Sequence, residues 1–339
     1  MSTTVVSDVP TRSVVGMADA LSVGVEVVGD GVTDRRIGAV APARGIAALA
    51  RRLESAGVGY WVIGAERGES THAGTVTLDP SLVATIAARH SAALGLVVSA
   101  AGHRDHPYNL ARRLISVDHA AHGRVGWLAL DFDHSIALNA ASDTWTGAVL
   151  DTTHTDDAVH AVRTLWRTWP LESVVGDTAA GVFADVTQIR RADVRAGYAI
   201  SGPLNVPGSV QGDLPVWRQA TRGSAVAPPG ADLVVVEDRE PVPDGTPVVV
   251  RVRALHSIAA TLERVAANPA AHGVLLRVAP HVFDHVVERV LPAARRRGVI
   301  NGPGEGTLRE RLRLPVPDSP DLSGHAAVFE TVPNPGGRL

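Results

Sequence analysis

Short runs of β-branched and apolar residues recur along the chain at positions 22–28, 60–64, 94–99, 124–131, 214–219, 232–237, 248–253 and 274–279. Each is four to eight residues long and bounded by turn-forming residues, the pattern of strands buried on both faces of a parallel sheet. Amphipathic stretches alternate with them. Asp79-Pro80 supplies an N-cap and a proline at the first helical position for a helix over 81–90. His106-Pro107 opens the next helix in the same way, and Gly123 closes it. Within it Leu110, Leu114, Val117 and Ala121 form one stripe, the spacing of a helix face packed on a sheet. Further helices are predicted over 156–169, 257–267 and 281–297.

Eight strands alternating with helices in a chain of this length predict one closed (β/α)8 TIM barrel over 21–315. A flexible lead-in over 1–20 precedes it and a Pro/Gly-rich tail over 316–339 follows. Two connections depart from the pattern. The linker between Gln219 and Asp232 contains Pro228-Pro229, which cannot continue a helix, and residues 238–247 read entirely as loop. A parallel crossover normally takes a dozen or more residues with a helix. The late wall, strands five to seven, is therefore expected to be thin, or its last two strands not to be parallel neighbours.

Composition narrows the chemistry. A 45% hydrophobic, 20% charged chain can bury a large core, and a net charge of -3 gives no field for nucleic acid or an anionic membrane. With no cysteine and no lysine, thiolate nucleophiles, Cys-ligated metals and Schiff bases are excluded. No window approaches the roughly 20 apolar residues of a membrane span, and residues 1–16 lack a signal pattern, so a cytoplasmic protein is expected. Residues just past strand ends converge on the mouth of a barrel. Those positions offer His103 and His106 after the third strand, and Asp131, Asp133 and His134 after the fourth. Imidazoles and carboxylates there can form an acid–base pair on a small organic substrate, and His103, His106 and Asp131 are the candidate catalytic residues. The bland alternative is that His106 caps its helix and Asp133 a turn. The same imidazoles and carboxylates could also form a metal site, although no H-x-H after the first strand and no H-E-x-x-H supports a zinc hydrolase. Asp118 with Arg124 reads as a structural tether.

The block LGLVVSAAGHRDHPYNLARRLISVDHAAHGRVGW at 94–127 resembles the luciferase-like monooxygenases, most of all the branch with nitrilotriacetate and dibenzothiophene-sulfone monooxygenases. Leu165-Trp166, the run SGPLNVPGSVQGDLPVWRQA at 201–220, Arg297-Gly298 and Thr307–Glu310 fall in the same order. The resemblance implies a luciferase-type barrel, FMN reduced by a separate flavin reductase, O2 as co-substrate, oxygenation of a small organic molecule and a homodimer. It places the flavin over the mouth, with Tyr108 and Gln219 beside it and Arg222 and Ser224 at the phosphate. The chain departs from the family's pattern where the flavin is gripped. Ala101-Gly102-His103 replaces a Ser/Thr-rich turn, Leu128–Phe132 replaces an Asn-containing run, and Thr152, Thr153 and Ala158 replace an Arg-Tyr pair and a Glu. Two other readings therefore stay open. One is a flavin-independent enzyme using the His103, His106 and Asp131 mouth; the other is a non-catalytic partner subunit.

Overall fold

In a computed structural model the chain folds as a closed barrel of eight parallel strands. The structure describes residues 20–28, 33–34, 39–40, 43–72, 78–135, 142–253, 258–318 and 321–329. The lead-in expected over 1–20 therefore lies outside the described residues but for its last position. The strands are β1 (Ser22–Val27), β2 (Tyr60–Ile63), β3 (Gly95–Ala100), β4 (Val125–Ala129), β5 (Val216–Gln219), β6 (Leu233–Glu237), β7 (Val248–Arg253) and β8 (Ala271–Val278). Each falls on an apolar run read from the sequence. The ring closes through β1 paired with β8, in register Val23 to Val274 and Glu26 to Arg277.

Four helices cover the first half: α1 (Ala43–Ser55), α2 (Pro80–Ala88), α3 (Pro107–Ala120) and α4 (Thr152–Trp166). The caps work as the dipeptides suggest. Asp79 accepts the Ser81 N–H at 2.8 Å, and His106 Nδ1 accepts the Tyr108 N–H at 3.2 Å. A fifth helix, α5 (Ile258–Ala266), follows β7. Helix α4 starts four residues earlier than its apolar pattern begins, because Asp151 caps it by accepting the His154 N–H at 2.9 Å. The helix expected over 281–297 is interrupted: a 3-10 turn and one α-turn lead into a π-turn, Val286–Val290, before Leu291–Arg296. Pro292 lacks the N–H that would continue a regular ladder there.

The connections β5–β6 and β6–β7 carry no helix, and β6 and β7 are nevertheless parallel neighbours, Val234 to Val248 through Glu237 to Arg251. The thin late wall is thus present, and the alternative of non-neighbouring strands is not. Val234 and Val236, on its outer face, stay buried beneath loop residues such as Ala227, Ala231 and Val242.

Two aromatic side chains fill the barrel floor, and glycines make room for them. A Cβ at Gly24 would lie 2.1 Å from the Tyr60 ring, and one at Gly126 would lie 2.3 Å from the Trp217 ring. The two rings meet at 5.5 Å. Leu308, Leu312 and Leu314 close the same apolar cluster from below. Asp118 is wholly buried and ties the 209–211 loop to β4: it accepts from Val125 N, Gln211 Nε2 and Ser209 Oγ at 2.9, 2.9 and 2.5 Å. It does not pair with Arg124, whose guanidinium turns instead to the carbonyls of Leu94, Ala88 and Ser91. Near the other end, residues 326 and 328 hydrogen-bond to Arg191 and Ile189, so part of the tail packs back on the chain.

Candidate active site at the barrel mouth

Side chains alternate along a strand, so Glu26 shares the inward face of β1 with Gly24, while Val23, Val25 and Val27 face outward. Glu26 is fully buried at the C-terminal end of the barrel. Arg251 of β7 and Arg277 of β8 flank it, each 3.7 Å from one of its oxygens. Neither arginine is free to neutralise it alone. Arg277 makes a paired contact with Glu69, whose second bond is 2.9 Å long. Arg251 pairs with Glu237 at 2.9 Å and donates to Gln219 Oε1 at 2.8 Å. No hydrogen bond reaches either Glu26 oxygen. Burial pushes the Glu26 carboxyl up, against the opposing pull of the two arginines. The inner mouth thus holds a buried carboxyl whose burial favours the protonated form more than water does, flanked by two arginines.

The rim over β3 and β4 is built from the predicted residues, sent to different partners. His103 is buried, packs on the Phe132 ring at 4.9 Å and accepts the Asp133 N–H at Nε2, 3.4 Å away. Burial lowers it to about 4, with Asp133 opposing, so its imidazole is neutral. Asp133 is held by Arg67 at 3.0 Å and by the Ser135 N–H at 2.8 Å. His106 caps α3 and lies edge-on to Trp145 and Tyr198, at 5.5 and 6.0 Å between ring centres. Asp131 turns to Arg218 at 3.3 Å, and Arg218 is itself bound to Asp156 at 2.7 Å. No hydrogen bond joins any two of His103, His106 and Asp131. Sequence reasoning also missed a buried trio. His154 Nε2 lies 3.0 Å from Asp143 and 2.8 Å from the Tyr198 hydroxyl, which also reaches Asp143 at 3.3 Å. These three stand far apart in the chain, and nothing in their local pattern announces them. Glu26 was legible: it is the one charged residue of its strand, on the inward parity.

The positions expected to meet a flavin divide into two groups. Gln219 lies at the mouth on the end of β5, already accepting from Arg251, and half-buried Tyr108 packs on the core from the first turn of α3. These and the buried Glu26 oxygens, which lack a hydrogen-bond partner, suit the polar edge of a flavin ring. The Thr221–Ser224 turn is different. Arg222 Nε and the Gly223 N–H both bind the carboxylate of Glu240, at 3.2 and 3.1 Å, and Ser224 Oγ accepts the Val226 N–H. An anion seat exists there, and the chain's own carboxylate sits in it. Among the described residues no cluster of three or more His, Asp or Glu side chains is arranged to hold a metal.

No protein-family model matches the chain. It is 35% identical over 151 residues to dibenzothiophene-sulfone monooxygenase of Rhodococcus erythropolis, a match spanning 43% of this chain and 33% of that protein. It is 27% identical over 161 residues to N-acetyl-S-(2-succino)cysteine monooxygenase of Bacillus subtilis, spanning 46% of this chain and 36% of that one. The chain thus matches about a third of the length of these relatives. The solved EDTA monooxygenase of a Chelativorans species superposes with a TM-score of 0.65 at 18% identity, covering 88% of this chain and 99% of that chain. The chain is thus similar in sequence to monooxygenases over less than half its length, and it shares the closed-barrel fold of the solved ones. A riboflavin lyase solved with a modified FMN shares the fold at the same TM-score, 0.65, with 16% identity over 86% of this chain and 95% of its own. The scaffold is shared with these structures, and charged side chains crowd the inner mouth of this chain's barrel. None of its described helices is long and apolar enough to cross a membrane.

Proposed function

We propose that this protein is a reduced-flavin-dependent monooxygenase acting on a small organic substrate, with FMN supplied by a separate flavin reductase in a soluble, cytoplasmic setting. The observation that supports it is a polar barrel mouth with a buried carboxyl in a chain similar to monooxygenases. Reduced flavin would supply the activation of O2; the protein's part is to bind, orient and shield. Gln219 and Tyr108 would meet the ring, and Glu26 would hold a proton beneath it. Arg222 and Ser224 would meet the phosphate once Glu240 yields its place. His103, neutral, would act as an acceptor that keeps the rim loops in register. The relatives' substrates and the homodimer of the family are part of this reading, not of the geometry.

Glu240 favours a second reading, a flavin-independent enzyme on the same barrel, because it closes the anion seat at the position expected for the phosphate. Calorimetric titration with reduced and oxidised FMN and with riboflavin separates the two. The flavin reading expects binding, with FMN preferred over riboflavin about tenfold more strongly in Glu240→Ala than in the unaltered chain, the size of one charge-assisted contact. No binding of either flavin at high micromolar concentration, in both proteins, overturns it.

A further inference from the structure

Trp145 stands out on the rim because it is 56% exposed while its support is almost completely buried. Asp143, 2% exposed, uses one carboxylate oxygen to close the turn that carries it, accepting from Trp145 N and Thr146 N at 2.7 Å each. The other oxygen is gripped by His154 and Tyr198, themselves 5% and 2% exposed. Burial and the neighbouring carboxylates push the Tyr198 phenol up, so it keeps its proton and donates. A large apolar side chain left in water contributes little to folding, and a buried polar anchor beneath it costs desolvation. That combination fits a side chain held ready for a ligand.

His106 supplies the second half. Its Nδ1 accepts the Tyr108 N–H, and burial keeps the ring neutral, so the single ring proton sits on Nε2. Among the described residues nothing hydrogen-bonds to that Nε2–H or to the Trp145 indole N–H. Trp145 and His106 meet edge to face, 5.5 Å between ring centres, so an exposed aromatic surface and an imidazole donor lie side by side on the rim. We propose that Trp145 and His106 form a subsite for a flat aromatic molecule carrying an acceptor oxygen, with Asp143, His154 and Tyr198 as positioning residues. This rests on the monooxygenase reading for its use in catalysis, but the binding itself needs no flavin.

The test uses the full chain without flavin and two probes of one shape, 9-fluorenone, which has a carbonyl, and fluorene, which has none. Fluorenone should bind about fivefold more tightly than fluorene, one hydrogen bond's worth. Trp145→Ala should weaken both about tenfold through loss of the aromatic contact. His106→Asn keeps a helix-capping acceptor and removes the imidazole. It should weaken fluorenone about fivefold and leave fluorene unchanged. Thermal melting of both variants checks that they fold. No binding of fluorenone by the unaltered chain, or binding indifferent to Trp145→Ala, overturns the proposal. Because no flavin is present, a failure of the flavin reading leaves these outcomes intact.

Discussion

Two buried titratable side chains at the mouth, His103 and Glu26, pull the pH dependence of stability in opposite directions. His103 is lowered to about 4, below the 6.5 of an exposed imidazole. Above 6.5 neither the folded nor the unfolded chain protonates it, and its contribution is flat. As pH falls from 6.5 toward 4, only the unfolded chain takes up the proton, so stability is lost by up to roughly 1.4 kcal/mol per pH unit. His103→Gln should remove that slope, measured by denaturant unfolding between pH 7 and 4.5. Glu26 is raised above its ordinary 4.5, so between 4.5 and its folded value the folded chain retains a proton that the unfolded chain has released. Its stabilising effect is complete below 4.5 and lost as pH rises toward its folded value. Glu26→Gln, a neutral isostere, should therefore gain more stability at pH 8 than at pH 5, read from the same unfolding curves. A gain that is equal at both pH values would show that Glu26 is ionised in the fold.

Among the elements, the strands and the N-caps of α2 and α3 could be read directly, because apolar runs and Asp-Pro or His-Pro pairs act over a few residues. What was not readable is what depends on distant partners. The hairpin Val174–Asp177 with Val182–Ala184 has no strong alternation, and the Asp143–His154–Tyr198 trio joins a turn, a helix and a loop. The expected catalytic grouping of His103, His106 and Asp131 shares a rim, yet Arg218, Asp133 and Trp145 draw each toward a different neighbour. Strand interiors carry a sharper expectation. Gly126→Ala pushes a methyl into the Trp217 ring and should cost about 3 kcal/mol, the upper range for overpacking a core. Trp217→Leu in the same chain should restore much of that loss. If Gly126→Ala alone melts like the parent, the ring does not fill the barrel as described.

At the scale of the whole molecule, the barrel is unevenly built. Around β1 to β4 helices α1 to α4 form a second layer, whereas β5, β6 and β7 are joined by loops. Backbone amides of the 220–231 and 238–247 connections should exchange with solvent well before those of α2, α3 and β3, because few buried apolar contacts hold them. Hydrogen-exchange mass spectrometry measures this directly, and uniform protection around the ring would contradict it. The unevenness gives the mouth one side backed by loops and one backed by helices. Gln219, Glu237 and Arg251 line the side of the mouth backed by loops. Trp145 and His106 stand on the double-layered half. A guest at the mouth therefore meets a charged wall backed by loops on one side and an aromatic wall backed by helices on the other.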